Sequence, residues 1–367
     1  MRPKAIRLVV VPALTAFAAV NLVFIALALT SPSFLLIRVA YDTDTLLFPA
    51  LFALGALGLT LTRGGRRHPR AIAVLLVASV ACFGARLYAT HLEPRRLMVR
   101  EATVPVAGLH APVRLLHFSD IQSDAVGAWE ERIVAKIREI DPDLIILTGD
   151  LLHPLPPVNL ATELPKLREL LEGLHPPLGK FMVAGDTDSW VHRGSTEVAS
   201  LHYLSGSDTV IEAPGGKIRL LGLTLRESAE PDRARRRVAR WMAAGETETR
   251  PAARSGGPES DVTIVAGHRP DYALGLGDLP VDLALAGHTH GGQVRIPFYG
   301  PLITLSQVPR DWARGFRRID GPWLNVSAGL GNEHTAGLPA LRVFCPPEMT
   351  LITLHPAGLA VNAPVVR

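Results

Sequence analysis

Apolar and polar positions divide this chain into two unlike parts. Up to about Thr90 the apolar residues come in long runs, roughly Leu8 to Thr30, Leu46 to Thr62 and Ala71 to Thr90. Beyond Val113 they come in short β-branched or leucine-rich blocks that end in Asp, His, Thr or Gly: VRLLHFSD, DLIILTGD, GKFMVAGD, KIRLLGLT, DVTIVAGH and VDLALAGH. Blocks of that length and punctuation predict buried strands. Between them Trp129 to Ile140, Leu164 to Leu174 and Pro231 to Ala243 carry helical spacing. The alternation predicts a layered α/β domain with polar residues at strand ends, where loops converge while the sheet fixes their positions. Ala244 to Ser260, rich in Gly, Pro, Ser, Thr and Glu, predicts a flexible excursion.

A helix needs about 20 apolar residues to cross the hydrocarbon core of a bilayer. The first and third runs reach that length, and the second falls short of it. Arg2, Lys4 and Arg7 before the first run also suit a signal peptide, but the run is longer than a signal core and two more follow it. The reading is therefore a membrane region over residues 1–107 with about three transmembrane helices, then a catalytic domain over 108–367. Composition agrees, since 48% of the 367 residues are hydrophobic and only 20% charged. The net charge of +4 is uneven because Arg residues flank the apolar runs, so it is no sign of nucleic-acid binding. Arg63, Arg66, Arg67 and Arg70 lie between the second and third runs, while Arg38 is alone between the first two with Asp42 and Asp44. The bias puts the N-terminus inside and everything after Thr90 outside the cytoplasm, against which Arg95, Arg96 and Arg100 argue mildly. Two cysteines, Cys82 and Cys345, exclude a disulfide framework and a CxxC zinc site.

The chemistry lies in the order of polar strand ends. Asp120 ends the first block, Asp150 the second, and Asp186 with Asp188 follow the third. His268 ends a later block, and His288 and His290 close the next in AGHTHGGQ. A single Asp after a strand is usually a helix cap. Carboxylates and imidazoles together on neighbouring strand ends suit a pair of divalent ions.

That order of Asp, GD, G-x-x-D, GH and GHTH resembles the calcineurin-like metallophosphoesterases, and most of all their bacterial, membrane-associated phosphodiesterase branch. The resemblance covers roughly Val113 to Leu354, with AGHTHGGQVRIP its most specific piece. It implies a double β-sandwich flanked by helices, an α+β four-layer arrangement. It further implies two metals, with Asp120 and His290 on one, Asp150 bridging, and His268 and His288 on the second. The implied reaction is in-line attack on phosphorus by a water activated between the ions, which in two-metal sites lie about 3.5–4 Å apart. The implied location is the bacterial inner membrane.

Three positions depart from the family pattern. The usual D-x-H reads Asp120-Ile121-Gln122, which favours Mn²⁺ or Mg²⁺ over Fe²⁺ or Zn²⁺; a manganese-dependent phosphatase branch also carries DIQ. The usual GNHD reads Gly185-Asp186-Thr187-Asp188, so Asp186 takes the place of an Asn ligand and Thr187 that of the proton-donating His. Thr187 and Asp188 are expected to shape the phosphate site. His153 and His192 are candidates to replace the missing imidazole, and Glu333 and His334 to line the pocket. Arg233, Arg235, Arg236, Arg237 and Arg240 with Trp241 form a basic helical patch suited to headgroups or phosphorylated substrate. The expected function is a membrane-anchored phosphoesterase acting on a phosphodiester or pyrophosphate in a small-molecule, nucleotide- or lipid-linked substrate. The alternative is an inactive relative that binds a phosphorylated ligand or partner. A nuclease would show more stacking aromatics than the 6% present.

Overall fold

The computed structural model describes residues 4–30, 33–62, 66, 68–191, 200–248, 261–333 and 340–357. Contacts divide the chain into two compact units, Met1–Glu93 and Pro94–Arg367.

The first unit is helical: α1 (Lys4–Thr30), α2 (Phe34–Asp42), α3 (Phe48–Leu61) and α4 (Pro69–Leu87). A π-helical turn, Thr43–Leu47, joins α2 to α3 without a break. Three stretches are long and apolar enough to cross a membrane: Val9–Leu27, Leu35–Leu61 and Pro69–Arg95. The second is longer than the sequence suggests because α2, the π-helical turn and α3 run on as one helical stretch. Arg38 and Arg86 donate to Asp42 at 2.9 and 2.8 Å, and Asn21 donates to Asp44 at 2.9 Å. Charged side chains within so apolar a stretch are tolerated when partnered in this way. Val10, Phe48, Phe52, Ala56 and Leu75 pack inside, while Leu22, Val77 and Val80 point outward, the reverse of a water-soluble bundle.

The second unit has two six-stranded sheets. Its strands are β1 (Met98–Val106), β2 (Val113–Phe118), β3 (Leu144–Leu147), β4 (Lys180–Met182), β5 (His202–Tyr203), β6 (Asp208–Ala213), β7 (Gly216–Gly222), β8 (Val262–Ala266) and β9 (Leu283–Ala286). A short ribbon of β10 (Arg295–Ile296) and β11 (Gly300–Pro301) precedes β12 (Gly315–Arg318), β13 (Trp323–Val326) and β14 (Glu348–Pro356). The sheets run β1-β14-β2-β3-β4-β5 and β12-β13-β9-β8-β7-β6. Within them β2, β3 and β4 are parallel, as are β7, β8, β9 and β13.

Continuous apolar runs reflect strands covered on both faces. Leu115 and Ile146 face the core between the sheets with Ile218, Ile264 and Leu285. Their neighbours Leu116 and Ile145 face α5 (Ala128–Ile140) and α6 (Leu160–Glu172) through Ile133, Ile137, Leu167 and Leu171. The second sheet is covered by α8 (Pro231–Glu248), which follows the short α7 (Leu225–Ala229) and buries Val238 and Trp241 against Leu221, Val265 and Ala284. This is a double β-sandwich flanked by helices.

Two boundaries differ from the sequence reading. The units part between Glu93 and Pro94, so Met98–Val106 lies in the second unit rather than in a membrane region ending at 107. It pairs in parallel with β14 along its whole length and buries Val104 and Val106. The excursion expected from Ala244 is helical as far as Glu248, and 249–260 lie outside the described residues.

A polar link crosses the core between the sheets. Asn325 on β13 donates to His117 Nδ1 at 2.6 Å, and His117 Nε2 donates to Thr148 Oγ1 at 3.0 Å. Burial pulls the His117 imidazole down to about 3 from 6.5, so it stays neutral in the folded protein. Below about pH 6.5 the unfolded chain takes up a proton that the folded one refuses, so stability falls as pH drops toward 3. The Tm is expected to fall between neutral pH and pH about 5, and less steeply in His117→Gln. Identical slopes in the two proteins would contradict a buried neutral His117.

Candidate metal centre

The parallel strands deliver their polar ends to one edge of the sandwich. Five of these residues have left-handed backbone: Asp120 (φ 52°), Gln122 (39°), Asp150 (57°), His288 (67°) and His290 (47°). Non-glycine residues hold this conformation only where their surroundings over-determine it. Asp120 N–H donates to the Gly149 carbonyl at 2.9 Å, and Gln122 N–H to that of Asp150 at 2.9 Å. His288 N–H donates to both carboxylate oxygens of Asp120 at 3.1 Å. Gly185 packs so closely that a Cβ there would lie 2.1 Å from Asp150 Oδ1. Gly185→Ala is therefore expected to displace that carboxylate and weaken metal affinity by about 10–100-fold, the usual scale for disturbed ligand support. Unaltered affinity in a metal titration would contradict this packing.

Among the described residues two groups of candidate ligand atoms come together within 4.8 Å, Asp120–Asp150–His268 and Asp186–His268–His288. His268 Nδ1 donates to the Thr148 carbonyl at 2.6 Å, which turns Nε2 toward Asp186 Oδ2 at 3.3 Å and Asp150 Oδ2 at 3.5 Å. His288 Nε2 donates to the Leu305 carbonyl at 3.1 Å, leaving Nδ1 2.9 Å from Asp186 Oδ2. His290 Nε2 lies 3.5 Å from Asp120 Oδ1. Each imidazole of the second group is thus anchored by one nitrogen and offers the other, as metal-ligating histidines do.

The electrostatics call for a cation. Burial alone would lower the pKa of His268, but the charge of Asp150, the Asp186 bond and Asp120 push it up to about 10. A proton there occupies the role an ion would take. Burial pushes Asp120 up to about 7, where the charge of Asp150 adds to the effect and that of His268 opposes it. Burial would also raise Asp186, yet hydrogen bonds from His268, His288 and Arg269 hold it well below the usual carboxylate range. Gln122 donates through Nε2 to Asp150 Oδ2 at 3.0 Å and Glu333 Oε2 at 3.2 Å, leaving its buried Oε1 without a partner. An unpartnered carbonyl oxygen beside a carboxylate–imidazole cluster fits a divalent ion. Cys345 is buried and donates to the His290 carbonyl at 3.3 Å, so it supports a ligand loop without being a ligand.

The profile of the calcineurin-like phosphoesterase family matches residues 113–292, which span every one of these candidate ligands. The uncharacterized metallophosphoesterase YkuE of Bacillus subtilis is 30% identical over 293 residues, covering 76% of this chain and 93% of that protein. The chain belongs to the calcineurin-like phosphoesterase family. Phosphodiesterase YaeI of Escherichia coli is 25% identical, covering 66% of this chain and 83% of its own. The UDP-2,3-diacylglucosamine pyrophosphatase LpxG of Chlamydia trachomatis is 24% identical, covering 72% and 92%. The protein is accordingly a phosphoester hydrolase by family.

Within this phosphoesterase the altered positions have defined places. Thr187 donates through both N and Oγ1 to Asp150 Oδ1, at 2.8 and 3.1 Å. Asp188 is buried and accepts from the backbone N–H groups of Asp150 (2.6 Å), Leu151 (3.0 Å) and Gly185 (2.9 Å), bonds that tie the Asp150 and Gly185 loops together. Burial and the charge of Asp150 push it up to about 6. His153 is half-buried, and among the described residues its side chain makes no hydrogen bond and joins neither ligand group. His192 and His334 lie outside the described residues. Glu333 reaches the site through Gln122.

Two contributors escape the sequence pattern. Arg269 donates to Asp186 Oδ1 at 2.6 Å from a partly exposed position, signalled only by its place after His268. Thr148, which holds His268, is itself held by His117. The basic patch on α8 is largely neutralised: Arg233 pairs with Glu230 at 2.8 Å, Arg235 with Asp278 at 2.7 Å and Arg237 with Glu227 at 3.8 Å. Trp241 is a core residue that donates to Asp208 at 3.0 Å.

Proposed function

We propose that this phosphoesterase is anchored in a membrane by its apolar helices and hydrolyses a phosphodiester or pyrophosphate bond in a lipid- or nucleotide-linked substrate with two divalent ions. The reading rests on one observation: carboxylates converge with two imidazoles whose far nitrogens are tied to backbone carbonyls. Asp120, His290 and Gln122 would hold one ion, His268, His288 and Asp186 the other, with Asp150 between them. The oxygen-rich donor set favours Mn²⁺, with Mg²⁺, Fe²⁺ and Zn²⁺ as weaker fits. When bound, such ions polarise the phosphoryl oxygens and activate a nucleophile.

The protein's own groups do the rest. Arg269, partly exposed and held against Asp186, is placed to meet a phosphoryl oxygen with a charge-assisted hydrogen bond. Thr187 fixes the Asp150 carboxylate and brings no proton donor effective near neutral pH. Substrates whose leaving group departs as a stable anion are therefore favoured, which suits a pyrophosphate bond. YaeI is a phosphodiesterase and LpxG a UDP-2,3-diacylglucosamine pyrophosphatase, which are these two bond types. Arginine bias, read with three spans, favours the extracytoplasmic side for the catalytic unit.

Full-length protein in detergent with Mn²⁺ is expected to hydrolyse bis-aryl phosphodiesters and nucleotide diphosphates, and simple alkyl monoesters much more slowly. Binding of these compounds without hydrolysis would favour the inactive relative.

A further inference from the structure

Exposed large apolar side chains of the second unit collect around the β10–β11 ribbon. Ile296, Phe298, Tyr299, Leu305 and Phe344 are there or on the adjoining segments, and among the described residues only Val210 and Leu274 lie elsewhere. Phe298, in the ribbon turn, is 110% exposed. Phe298 (φ 66°), Leu305 (50°) and Phe344 (51°) also have left-handed backbone. Bulky residues held both strained and exposed gain nothing from the core, which points to a role outside it.

The same place is basic. A cavity of about 430 Å³ opens at the ribbon, lined by Arg295, Arg314, Phe298, Tyr299 and Phe344 among others. Its one carboxylate, Asp311, is paired with Arg317 at 2.6 Å. Arg310 stacks on Tyr299 with its guanidinium 4.7 Å from the ring centre. Aromatic tips ringed by arginines match a bilayer interface, where rings sit at headgroup depth and cations meet phosphates. Chain length agrees, because only Arg96 and Leu97 separate the last apolar stretch, ending at Arg95, from β1 at Met98.

We propose that the β10–β11 ribbon docks on the anionic surface of a phospholipid bilayer, with Ile296 and Phe298 entering the apolar layer and Arg295, Arg310 and Arg314 meeting lipid phosphates. The ribbon and the segment after it are bonded to the candidate metal-binding loop: Arg295 donates to the Gly291 carbonyl at 2.8 Å, and His288 Nε2 donates to the Leu305 carbonyl at 3.1 Å. A corollary, which rests on the hydrolase reading above, is that the substrate is a phosphorylated lipid drawn from that surface.

The test uses the full chain in nanodiscs, with a nitroxide at Pro297→Cys in a Cys82→Ser background and a control label at Glu212→Cys. Power-saturation EPR compares collisions with dioxygen and with a water-soluble nickel chelate. In phosphatidylglycerol discs position 297 is expected to lose nickel collisions severalfold and gain dioxygen collisions, with position 212 open to nickel. Arg310→Glu with Arg314→Glu is expected to restore nickel access at 297. Nickel access at 297 equal to that at 212 would overturn the proposal. So would shielding that persists without lipid dependence, or a label-to-label distance showing a second copy on the ribbon. Hydrolysis of a soluble bis-aryl phosphodiester by the same labelled protein reads the catalytic proposal separately, since docking and turnover can fail independently.

Discussion

Asp150→Asn is expected to lower kcat/KM by about 10³-fold or more, the scale of losing several kcal/mol of ion-borne charge stabilisation. Oδ1 of Asp150 accepts both Thr187 bonds, while Oδ2 accepts the Gln122 amide and faces His268. Asparagine retains an oxygen for Thr187 but turns an NH₂ toward another NH₂ on Gln122. It also removes a charge that raises both His268 and Asp120, weakening the attraction for any cation in both ligand groups. Circular dichroism is expected to stay native, because β3, which precedes Asp150, is held by apolar packing on both faces. Turnover near the wild-type level would remove Asp150 from the centre of the account.

Thr187→His is the second large effect, and it is a gain. Only the Oγ1 bond to Asp150 is lost, because the backbone N–H bond at 2.8 Å does not depend on the side chain. General acid catalysis contributes typically about 10²–10⁴-fold. An imperfectly placed imidazole is expected to recover about tenfold in kcat on alkyl phosphodiesters and nothing on nitrophenyl ones, whose leaving group needs no proton. Equal effects on the two substrates, or none on either, would show that residue 187 does not face the leaving group.

Much of the site was legible because strands covered on both faces leave few polar residues. Asp120, Asp150, His268, His288 and His290 stand out against such runs, and each lies in the turn that follows β2, β3, β8 or β9. What the sequence hid depends on contacts through space. His117 and Asn325 lie 208 residues apart and meet only across the packed sheets. Asp188 reads as one more carboxylate at a strand end, yet three backbone N–H groups claim it. The arginines of α8 look like a free basic face until Asp278 and Glu227 are brought against them. In the first unit Arg38 and Asp42 break the hydropathy run in the sequence, while in the fold they bond to each other within one continuous helical stretch.

The most direct measurement is metal content and turnover on one preparation. Full-length protein is stripped with chelator, reloaded with Mn²⁺, counted for bound metal and assayed on a bis-aryl phosphodiester. The account predicts about two ions per chain, no hydrolysis by the stripped protein, and recovery that follows occupancy. A chain that binds no ion, or that hydrolyses equally well with and without one, would contradict it.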